Sequence, residues 1–392
     1  MRIALATSSF APYIGGVEEH VRNVAHALQR RGHDVVVWTV EREGGHGVRE
    51  VEGIPVWDLP APLPGRSPKG LAGFAARAPR AAALWRQALR AHRPDLIHVH
   101  CFGPNGSYVR RLARAAGVPW ILTGHGETLA DDENVFVSSR FAAHSLRRGL
   151  AEASAVTACS RTALDDLIAR FGLADGSGTV IVNGIELDEE LGVLPEGIGG
   201  RYIAAIGRVQ RLKGFDLLLE AFARAQLPAD ISLVIGGAGP ELAPLAARAA
   251  ALGIADRVRL PGWLDRPTVG AVRRDALIGV VPSRTEPFGI AALEIWRAAS
   301  TLVATTHGGP PEFVRDGEDG VLVDPLDIDA LAAVLAGLVA DPDRARRLAD
   351  AGARRVTAFT WGHVTDRYEE LYRQIVTAPA TPTAARATLK EA

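Results

Sequence analysis

Short runs of apolar, largely β-branched residues alternate with longer stretches of helical periodicity along the chain. Runs that are apolar at every position are typical of parallel strands buried on both faces, with helices covering those faces. The pattern therefore predicts two doubly wound α/β units. The predicted strands of the first half are Ile3–Thr7, Asp34–Val40, Leu96–His100, Trp120–Thr123, Ala155–Ala158 and Val180–Val182. Those of the second half are Tyr202–Ile206, Ser232–Ile235, Val258–Leu260, Ile278–Val281, Leu302–Ala304 and Gly320–Val323.

Turn-forming and acidic residues cluster between residues 183 and 201 and mark a boundary between the two halves. We place an N-terminal Rossmann-like domain at residues 1–190 and a C-terminal Rossmann-like domain at residues 200–358. A helix at residues 359–376 follows, and residues 377–392, rich in Ala, Thr and Pro, are expected to form a flexible tail. Ligands of doubly wound sheets bind at the carboxyl ends of the strands, so two such domains would face each other across a ligand-binding cleft.

A chain of 392 residues with 47% hydrophobic and 23% charged residues is long and apolar enough for two buried cores. Its formal net charge of −1 lacks the basic excess typical of nucleic-acid-binding proteins. The cysteines Cys101 and Cys159 are far apart, which disfavours a disulfide framework or a structural zinc site. No apolar run approaches the roughly 18 residues of a membrane span, and the N-terminus does not resemble a signal peptide. We expect a cytoplasmic protein.

The most informative stretch is Val281–Glu294, in which a predicted strand ends, a polar loop follows and a helix begins near Gly289. Glycine lets a ligand approach the backbone closely, and the first amides of a helix are free to bind phosphate. Glu286 in the loop is suited to accept hydrogen bonds from sugar hydroxyls, and Glu294 in the helix is suited to bind ribose hydroxyls. Spacing alone explains both glutamates equally well as surface residues, because carboxylates near helix starts are common.

A second stretch, Gly207–Gly214, follows the first predicted strand of the second half and carries Arg208 and Lys213. Two cations in such a loop would neutralise a diphosphate and stabilise it as a leaving group. The alternative is a solvated basic loop. The only other lysines are Lys69 and Lys390, in a chain whose basic residues are nearly all arginine, and this scarcity favours a specific role for Lys213.

Loops that follow strands of the first half add further candidates. Gly15 and Gly16 would admit a phosphate at a helix start, although such a pair is as typical of a plain turn and does not complete a dinucleotide-binding fingerprint. His125 is interpreted either as a ligand of a sugar hydroxyl or as a loop histidine without one. His98 and His100 share one face of their strand, and we interpret them as buried, hydrogen-bonded residues. No grouping has metal-ligand spacing, so we expect no metal site, and no Ser or Cys nucleophile motif appears.

These segments occur in the order typical of the retaining GT-B glycosyltransferases of family 4, which the chain resembles over nearly its full length. Each segment is a weak signal by itself, but seven in order make the resemblance specific. The matching segments are Gly15–Glu18, Arg31–Val35, Thr123–Gly126, Asn183–Glu186, Gly207–Gly214, Glu286–Glu294 and Gly308–Glu312.

The resemblance implies a role for each candidate residue. Arg208 and Lys213 would hold the donor diphosphate, Glu286 the transferred sugar, and Glu294 the ribose. The last helix, Trp361–Ile375, would cross back onto the first domain. The residues implied in catalysis are His125, Arg208, Lys213 and Glu286. The donor-binding set is Gly15, Gly16, Arg208, Lys213, Glu286, Phe288, Gly289, Ile290 and Glu294, with the base near Arg259–Trp263.

We therefore expect an enzyme that transfers a hexose or an N-acetylhexosamine from a UDP- or GDP-sugar to an acceptor hydroxyl, with UDP as the favoured nucleotide. The configuration at the anomeric carbon is expected to be retained. The nucleotide sugar is a substrate, and no separate cofactor is expected. A UDP-sugar 2-epimerase on the same architecture and a non-catalytic sugar-nucleotide-binding protein are the alternatives. The sequence leaves open whether the acceptor is a small molecule, a lipid or a glycan, and whether the protein is a homodimer.

Residues 66–93 contain seven Lys and Arg residues and no acidic one. An amphipathic helix there would bind anionic lipid on the inner membrane face, but we prefer an ordinary surface helix. Pro79 is expected to split the stretch, so that any helix would begin near Arg80. The loop Asp131–Asn134 is interpreted as a solvated acidic loop in preference to part of an acceptor pocket.

Overall fold

The computed structural model describes residues 1–13, 15–41, 45–65, 67–130, 135–188, 190 and 192–377. Within them, strands form an eight-stranded sheet in the first half and a six-stranded sheet in the second. The first sheet contains β1 (Arg2–Thr7), β2 (Asp34–Val40), β3 (Gly47–Val51), β4 (Ile54–Leu59), β5 (Leu96–His100), β6 (Trp120–Gly124), β7 (Ala155–Ala158) and β8 (Gly178–Val180). The second contains β9 (Arg201–Ile206), β10 (Ile231–Gly236), β11 (Val258–Gly262), β12 (Ile278–Val281), β13 (Thr301–Thr305) and β14 (Val321–Val323).

Both sheets are doubly wound, which confirms the predicted fold class. The strand order of the second sheet is β11-β10-β9-β12-β13-β14, and all of its pairs are parallel. The first sheet has the order β3-β4-β2-β1-β5-β6-β7-β8, and only the β3–β4 pair is antiparallel. In each sheet, successive strands are added first on one side of the first strand and then on the other, and crevices that bind ligands form at such switch points.

The sequence pattern missed the hairpin of β3 and β4. Its edge strand β3 is mostly exposed and lacks the apolar run that marks the other strands. The two residues between the strands, Glu52 and Gly53, both have positive φ angles, of 50° and 80°. Positive φ at both central positions is what a two-residue turn between twisted antiparallel strands requires. The strand predicted at Val180–Val182 is also displaced, because the pairing with β7 covers Gly178–Val180 instead.

Helices cover both faces of each sheet. Residues of β1 alternate between the two sides: Ile3 and Leu5 pack with α1 and α13, whereas Ala4 and Ala6 pack in the core beneath α2, α3, α5 and α6. The helices are α1 (Gly16–Arg30), α2 (Pro68–His92), α3 (Pro104–Ala116), α4 (Val135–Ser138), α5 (Arg140–Glu152), α6 (Arg161–Phe171), α7 (Phe215–Arg224), α8 (Leu242–Ala251), α9 (Arg266–Asp275), α10 (Ile290–Arg297), α11 (Ile328–Ala340), α12 (Pro342–Arg355) and α13 (Trp361–Thr377).

The last helix, α13, packs against α1 and the first sheet although it follows the second sheet in the chain. Its residue Glu369 accepts hydrogen bonds from Arg31 Nη1 at 2.8 Å and pairs with His33 Nε2 at 2.5 Å. Arg31 and His33, from one of the segments shared with the family, therefore anchor the returning helix. The domain limits at residues 190, 200 and 358 stay predictions.

Helix α2 runs without a break through Pro79, so the expected start near Arg80 was wrong. Ser67 caps the helix, its Oγ accepting from the Gly70 amide at 3.1 Å. The buried side of α2 consists of Ala81, Trp85 and Ala88, and Pro79 is exposed. The ring of Pro79 therefore lies on the solvent-facing side of α2, away from the side that packs against the sheet. No helix in the described part of the chain has the length and apolarity needed to cross a membrane.

Candidate active site

A cleft of about 820 Å³ lies between the two sheets, at the carboxyl ends of their strands. The loops after β1, β5 and β6 line it from the first half, and the loops after β9, β10, β11 and β12 line it from the second half. Every residue of the predicted donor-binding and catalytic sets borders this cleft. The fold therefore brings together candidates that are up to 279 residues apart, from Gly15 to Glu294.

Four of the helices that begin at the cleft start after a glycine and have no side-chain cap. Helices α1, α3, α7 and α10 start after glycines, whereas α2, α5, α6, α9, α11 and α12 start after a Ser or Asp that accepts from a backbone amide. The first amides of a helix have no intrahelical acceptor and carry the positive end of the helix dipole. Without a capping side chain, these amides are available to a bound anion.

The starts of α1 and α10 face each other across the cleft. A methyl group added to Gly16 would lie 3.5 Å from Cδ1 of Ile290. Gly289, which precedes α10, has a φ angle of 104°, a conformation that L-residues with a side chain rarely adopt. Two uncapped helix starts that approach each other in this way present amide donors suited to a phosphate chain.

Glu286 is fixed at the centre of this region and is 7% exposed. Its amide donates to the carbonyl of His307 at 3.0 Å, and its carbonyl accepts from the amide of Gly309 at 2.8 Å. Its Oε2 accepts from Lys213 Nζ at 2.7 Å and from Ser283 Oγ at 2.8 Å. No donor among the described residues bonds to Oε1, which leaves that oxygen for a ligand hydroxyl.

Arg208 supplies the second cation of the predicted diphosphate site. It is exposed on the cleft wall and forms no side-chain hydrogen bond or ion pair within the described part of the chain. The neighbouring Arg284 is instead bound by both oxygens of Asp216, each at 2.7 Å. Arg208 and Lys213 are therefore the cations that these loops direct at the cleft.

Glu294 lies in the second turn of α10 and is paired with Arg273 of α9, with Oε2 2.5 Å from Nη1. The Arg273 side chain is nearly fully buried, and the Glu294 side chain is 27% exposed. Sequence reasoning missed Arg273, because nothing in its surroundings on an Arg-rich helix distinguishes it from a surface residue. The buried cation orients the Glu294 carboxylate at the edge of the cleft.

The loop that carries His125 is held by Glu127 and by contact with the second half. The Glu127 carboxylate accepts from the amides of Phe102 and His125, both at 2.8 Å. Burial raises the pKa of Glu127, although these amides act in the opposite direction. A Cβ on Gly126 would lie 2.2 Å from Cβ of Pro287, so this loop and the Glu286 loop touch across the cleft.

His125 contacts a cluster of buried histidines on the side away from the cleft. The spacing of these residues along the sequence does not indicate that they form a cluster. Both histidines of β5 are fully buried, as predicted. His20, His100 and His125 each offer a nitrogen within 4.8 Å of the other two, a grouping in space that the spacing along the sequence does not reveal. Both nitrogens of His20 already have hydrogen-bond partners, Asn183 and Tyr368. The cluster is therefore organised by hydrogen bonds.

Carboxylates also link the two halves beside the cleft. Arg266 of α9 forms an ion pair with Glu19 of α1, and both residues line the cleft. Burial acts to raise the pKa of Glu19, but Arg266 and Arg22 lower it below its usual value. At the α6 start, Glu312 accepts from the amide of Arg161 at 2.6 Å. Neither pair is signalled by spacing along the sequence.

The predicted base pocket is only partly placed at the cleft. Of the expected base pocket Arg259–Trp263, Trp263 lines the cleft and is 61% exposed. The Arg259 side chain instead donates to the carbonyl of Asp256 at 2.7 Å. The acidic loop Asp131–Asn134 lies outside the described residues.

Comparison with known proteins agrees with this geometry. The model of Glycosyltransferase Family 4 matches residues 14–189, and that of Glycosyl transferases group 1 matches residues 191–355. D-inositol 3-phosphate glycosyltransferase of Mycobacterium avium (strain 104) is 32% identical, over 92% of this chain and 89% of its own. Glycogen synthase of Mycobacterium tuberculosis (strain ATCC 25618 / H37Rv) is 29% identical, over 95% of this chain and 94% of its own.

Solved structures share the whole fold. Sucrose-phosphate synthase from Thermosynechococcus elongatus superposes with a TM-score of 0.79 at 25% identity, covering 96% of this chain and 100% of that one. HepE of Anabaena, crystallised with UDP and glucose, superposes with a TM-score of 0.77 at 18% identity over 95% and 100% of the two chains.

Two doubly wound sheets that enclose a cleft lined by helix starts and cations define the GT-B class of glycosyltransferases. The chain belongs to glycosyltransferase family 4. It is a retaining enzyme that takes its sugar from a nucleotide-sugar donor.

Proposed function

We propose that the chain transfers a hexose or an N-acetylhexosamine from a UDP-sugar to a hydroxyl group of a polar acceptor. The observation that carries the proposal is the Glu286 carboxylate, held by Lys213 and Ser283 at the uncapped start of α10. One oxygen of this carboxylate has no donor among the described residues, and it lies beside amides suited to phosphate. A sugar joined to a diphosphate satisfies both features.

The roles of the remaining residues follow from their positions. Arg208 and Lys213 would bind the diphosphate, together with the amides of Gly15 and Gly16 at the opposite helix start. The amides near Phe288, Gly289 and Ile290 would bind phosphate oxygens. The side chain of Phe288 is buried against Phe313, with ring centroids 5.0 Å apart, so only its backbone is available.

Retention is explained without a carboxylate nucleophile. Both oxygens of Glu127 are occupied by backbone amides, and Glu286 is bound by Lys213. We therefore infer attack from the face that the diphosphate leaves. The bond from the anomeric carbon to the phosphate oxygen breaks, the acceptor oxygen bonds to that carbon, and the acceptor proton passes to the departing phosphate. Arg208 and Lys213 stabilise the charge that develops on this phosphate.

The nucleotide is UDP in this proposal, supported by the complex of HepE with UDP and glucose. The named relatives support hydroxyl acceptors of two kinds, an inositol phosphate and a glucan. Thermal unfolding in the presence of UDP, GDP or ADP tests which nucleotide the site binds best. A ligand at 100 times its Kd stabilises a protein by about 2.7 kcal/mol. UDP should raise the melting temperature most, and a larger shift with GDP or ADP would refute the choice of base.

Transfer is tested with UDP-glucose and UDP-N-acetylglucosamine against inositol, inositol phosphates and a maltooligosaccharide. We expect UDP release that depends on acceptor, and a product with the anomeric configuration of the donor. A control without acceptor separates the alternatives. An epimerised sugar nucleotide in that control would identify a 2-epimerase, and tight UDP-sugar binding without any product would identify a binding protein.

Glu294→Gln should raise the Kd for UDP by a factor of about 10 or more, because a hydrogen bond to a charged group is worth roughly 1.5–3 kcal/mol. Turnover at saturating donor should change little, since the ribose is bound equally in the ground and transition states. Calorimetric titration with UDP and steady-state kinetics check both quantities. Glu318→Gln, at a carboxylate that lies outside the cleft lining, is the matched control. An unchanged Kd in Glu294→Gln would remove Glu294 from the ribose site.

A further inference from the structure

The histidines behind His125 form a layer of buried rings. His98 and His100 lie on β5 with ring centroids 4.0 Å apart, and His20 of α1 packs edge-on against His125 with centroids 4.6 Å apart. His20, His98 and His100 are each 0% exposed. Only His125 reaches the cleft.

Both ring nitrogens of His98 and both of His20 have hydrogen-bond partners. His98 Nδ1 lies 2.7 Å from the hydroxyl of Tyr372, and its Nε2 lies 2.6 Å from Thr123 Oγ1. His20 is bonded in the same way by Asn183 and Tyr368, at 2.8 and 3.2 Å. Since both tyrosines lie on α13, the returning helix locks these two rings in place.

His100 differs, because only one of its nitrogens has a partner. Its Nδ1 lies 3.1 Å from His125 Nε2, whereas its Nε2 is buried without a hydrogen bond in the described part of the chain. Burial, together with the neighbouring histidines, lowers the pKa of His100 and of His125 well below the usual value. Both rings are therefore neutral, and each carries one proton.

The location of these two protons follows from the unpaired nitrogen. A proton on His100 Nε2 would be a buried donor without an acceptor, which costs more than an unpaired lone pair. The proton of His100 therefore lies on Nδ1 and is donated to His125 Nε2. Because His125 then accepts at Nε2, its own proton must lie on Nδ1. That nitrogen has no hydrogen-bond partner among the described residues.

We propose that His100 is a positioning residue that holds His125 as the tautomer with its proton on Nδ1, so that His125 offers the cleft a hydrogen-bond donor. This inference rests on the proposed function, in which His125 lies beside the transferred sugar. A fixed donor there binds an oxygen of the sugar or of the acceptor and orients it for transfer. His125 in this state does not act as a general base, because its only basic nitrogen is occupied by His100.

Nitrogen NMR of the protein labelled with ¹⁵N-histidine tests the tautomer without donor or acceptor. The resonances of His125 are assigned by their loss in His125→Asn. We expect a protonated Nδ1 and an unprotonated Nε2 in the wild-type protein, and a mixture of tautomers in His100→Leu. A protonated Nε2 on His125 in the wild-type protein would overturn the proposal, whatever the enzyme transfers.

Kinetics of three substitutions separates positioning from packing. The amide nitrogen of Asn occupies the place of His Nδ1, so His100→Asn retains the donor, whereas His100→Gln moves it and His100→Leu removes it. We expect kcat to fall about tenfold in the Leu and Gln variants and to stay near the wild-type value in the Asn variant, with an unchanged Kd for UDP in all three. Equal losses in the Asn and Leu variants would refute the proposal.

His92→Leu is the matched control for removing a histidine. His92 Nε2 is also buried without a partner, but the residue is at the end of α2 and outside the cleft lining, so kcat should be unchanged. If the wild-type protein transfers no sugar at all, the proposed function fails while the NMR experiment still decides the tautomer. If it transfers sugar and the Asn variant is not rescued, only the inference about His100 fails.

Discussion

Lys213→Met should lower turnover by a factor of about 10²–10³, the loss typical of removing one group that stabilises transition-state charge. The ammonium group of Lys213 lies in the cleft beside Glu286 and the uncapped start of α10. As the bond to the phosphate breaks, negative charge grows on the leaving diphosphate, and a fixed cation stabilises that state more than the bound donor. Rapid-mixing or steady-state assays at saturating donor measure the effect as kcat.

The ion pair with Glu286 complicates a single substitution. Without Lys213 the Glu286 carboxylate stays buried, with Ser283 as its only side-chain donor among the residues that the structure describes, and this by itself lowers stability. Lys213→Met combined with Glu286→Gln removes that charge, so it should recover stability but not turnover. Arg208→Ala is a second test, because Arg208 has no partner in the described residues and its removal leaves no unpaired carboxylate.

Lys69→Met on the exposed part of α2 is the matched control and should leave kcat unchanged for soluble acceptors. A Lys213→Met enzyme with turnover within a factor of about three of the wild type would show that the lysine is not needed for departure of the diphosphate. Loss of turnover that the double variant restores would instead assign to Lys213 the role of holding Glu286.

The donor side of the site could be predicted because its residues follow strands. Lys213 and Glu286 are 73 residues apart, yet each lies in a loop after a buried apolar run, and the carboxyl ends of parallel strands meet at one edge. The sequence did not show that the two side chains touch. That contact depends on the adjacency of β9 and β12, which follows from the strand order of the sheet.

The histidine cluster could not be predicted because its members come from elements that meet only in the folded chain. His20 is on α1, His98 and His100 are on β5, and the tyrosines that bond to this layer are on α13, some 270 to 350 residues away. Each histidine taken alone has a surrounding sequence that fits an ordinary buried position. Sequence reasoning assigned burial correctly to His98 and His100, but not to His20, and it had no means of predicting contacts across the two halves.

The same cluster makes stability depend on pH, and we expect the free energy of unfolding to fall steeply below pH 6.5. Burial lowers the pKa of His20 to about 4, although Asn183 and Glu19 oppose this, and it lowers the pKa of His98 and His100 well below the usual value. In the unfolded chain each titrates near 6.5. As the pH falls from 6.5 towards 4, the unfolded chain binds protons that the folded protein does not, so stability rises with pH across this window.

Burial lowers the pKa of His125 in the same way, and four such protons correspond to a slope of up to about 5 kcal/mol per pH unit, enough to abolish the stability of an ordinary domain within two or three units. Urea unfolding at pH 7.5, 6.5 and 5.5 measures the slope. His98→Gln should reduce it by about 1.4 kcal/mol per pH unit even if the variant is less stable at every pH, whereas His363→Gln, at an exposed position on α13, should leave it unchanged. A shallow slope shared by all three proteins would mean that the buried histidines are protonated in the folded state. It would contradict the assignment of neutral rings on which the His100–His125 hydrogen bond depends.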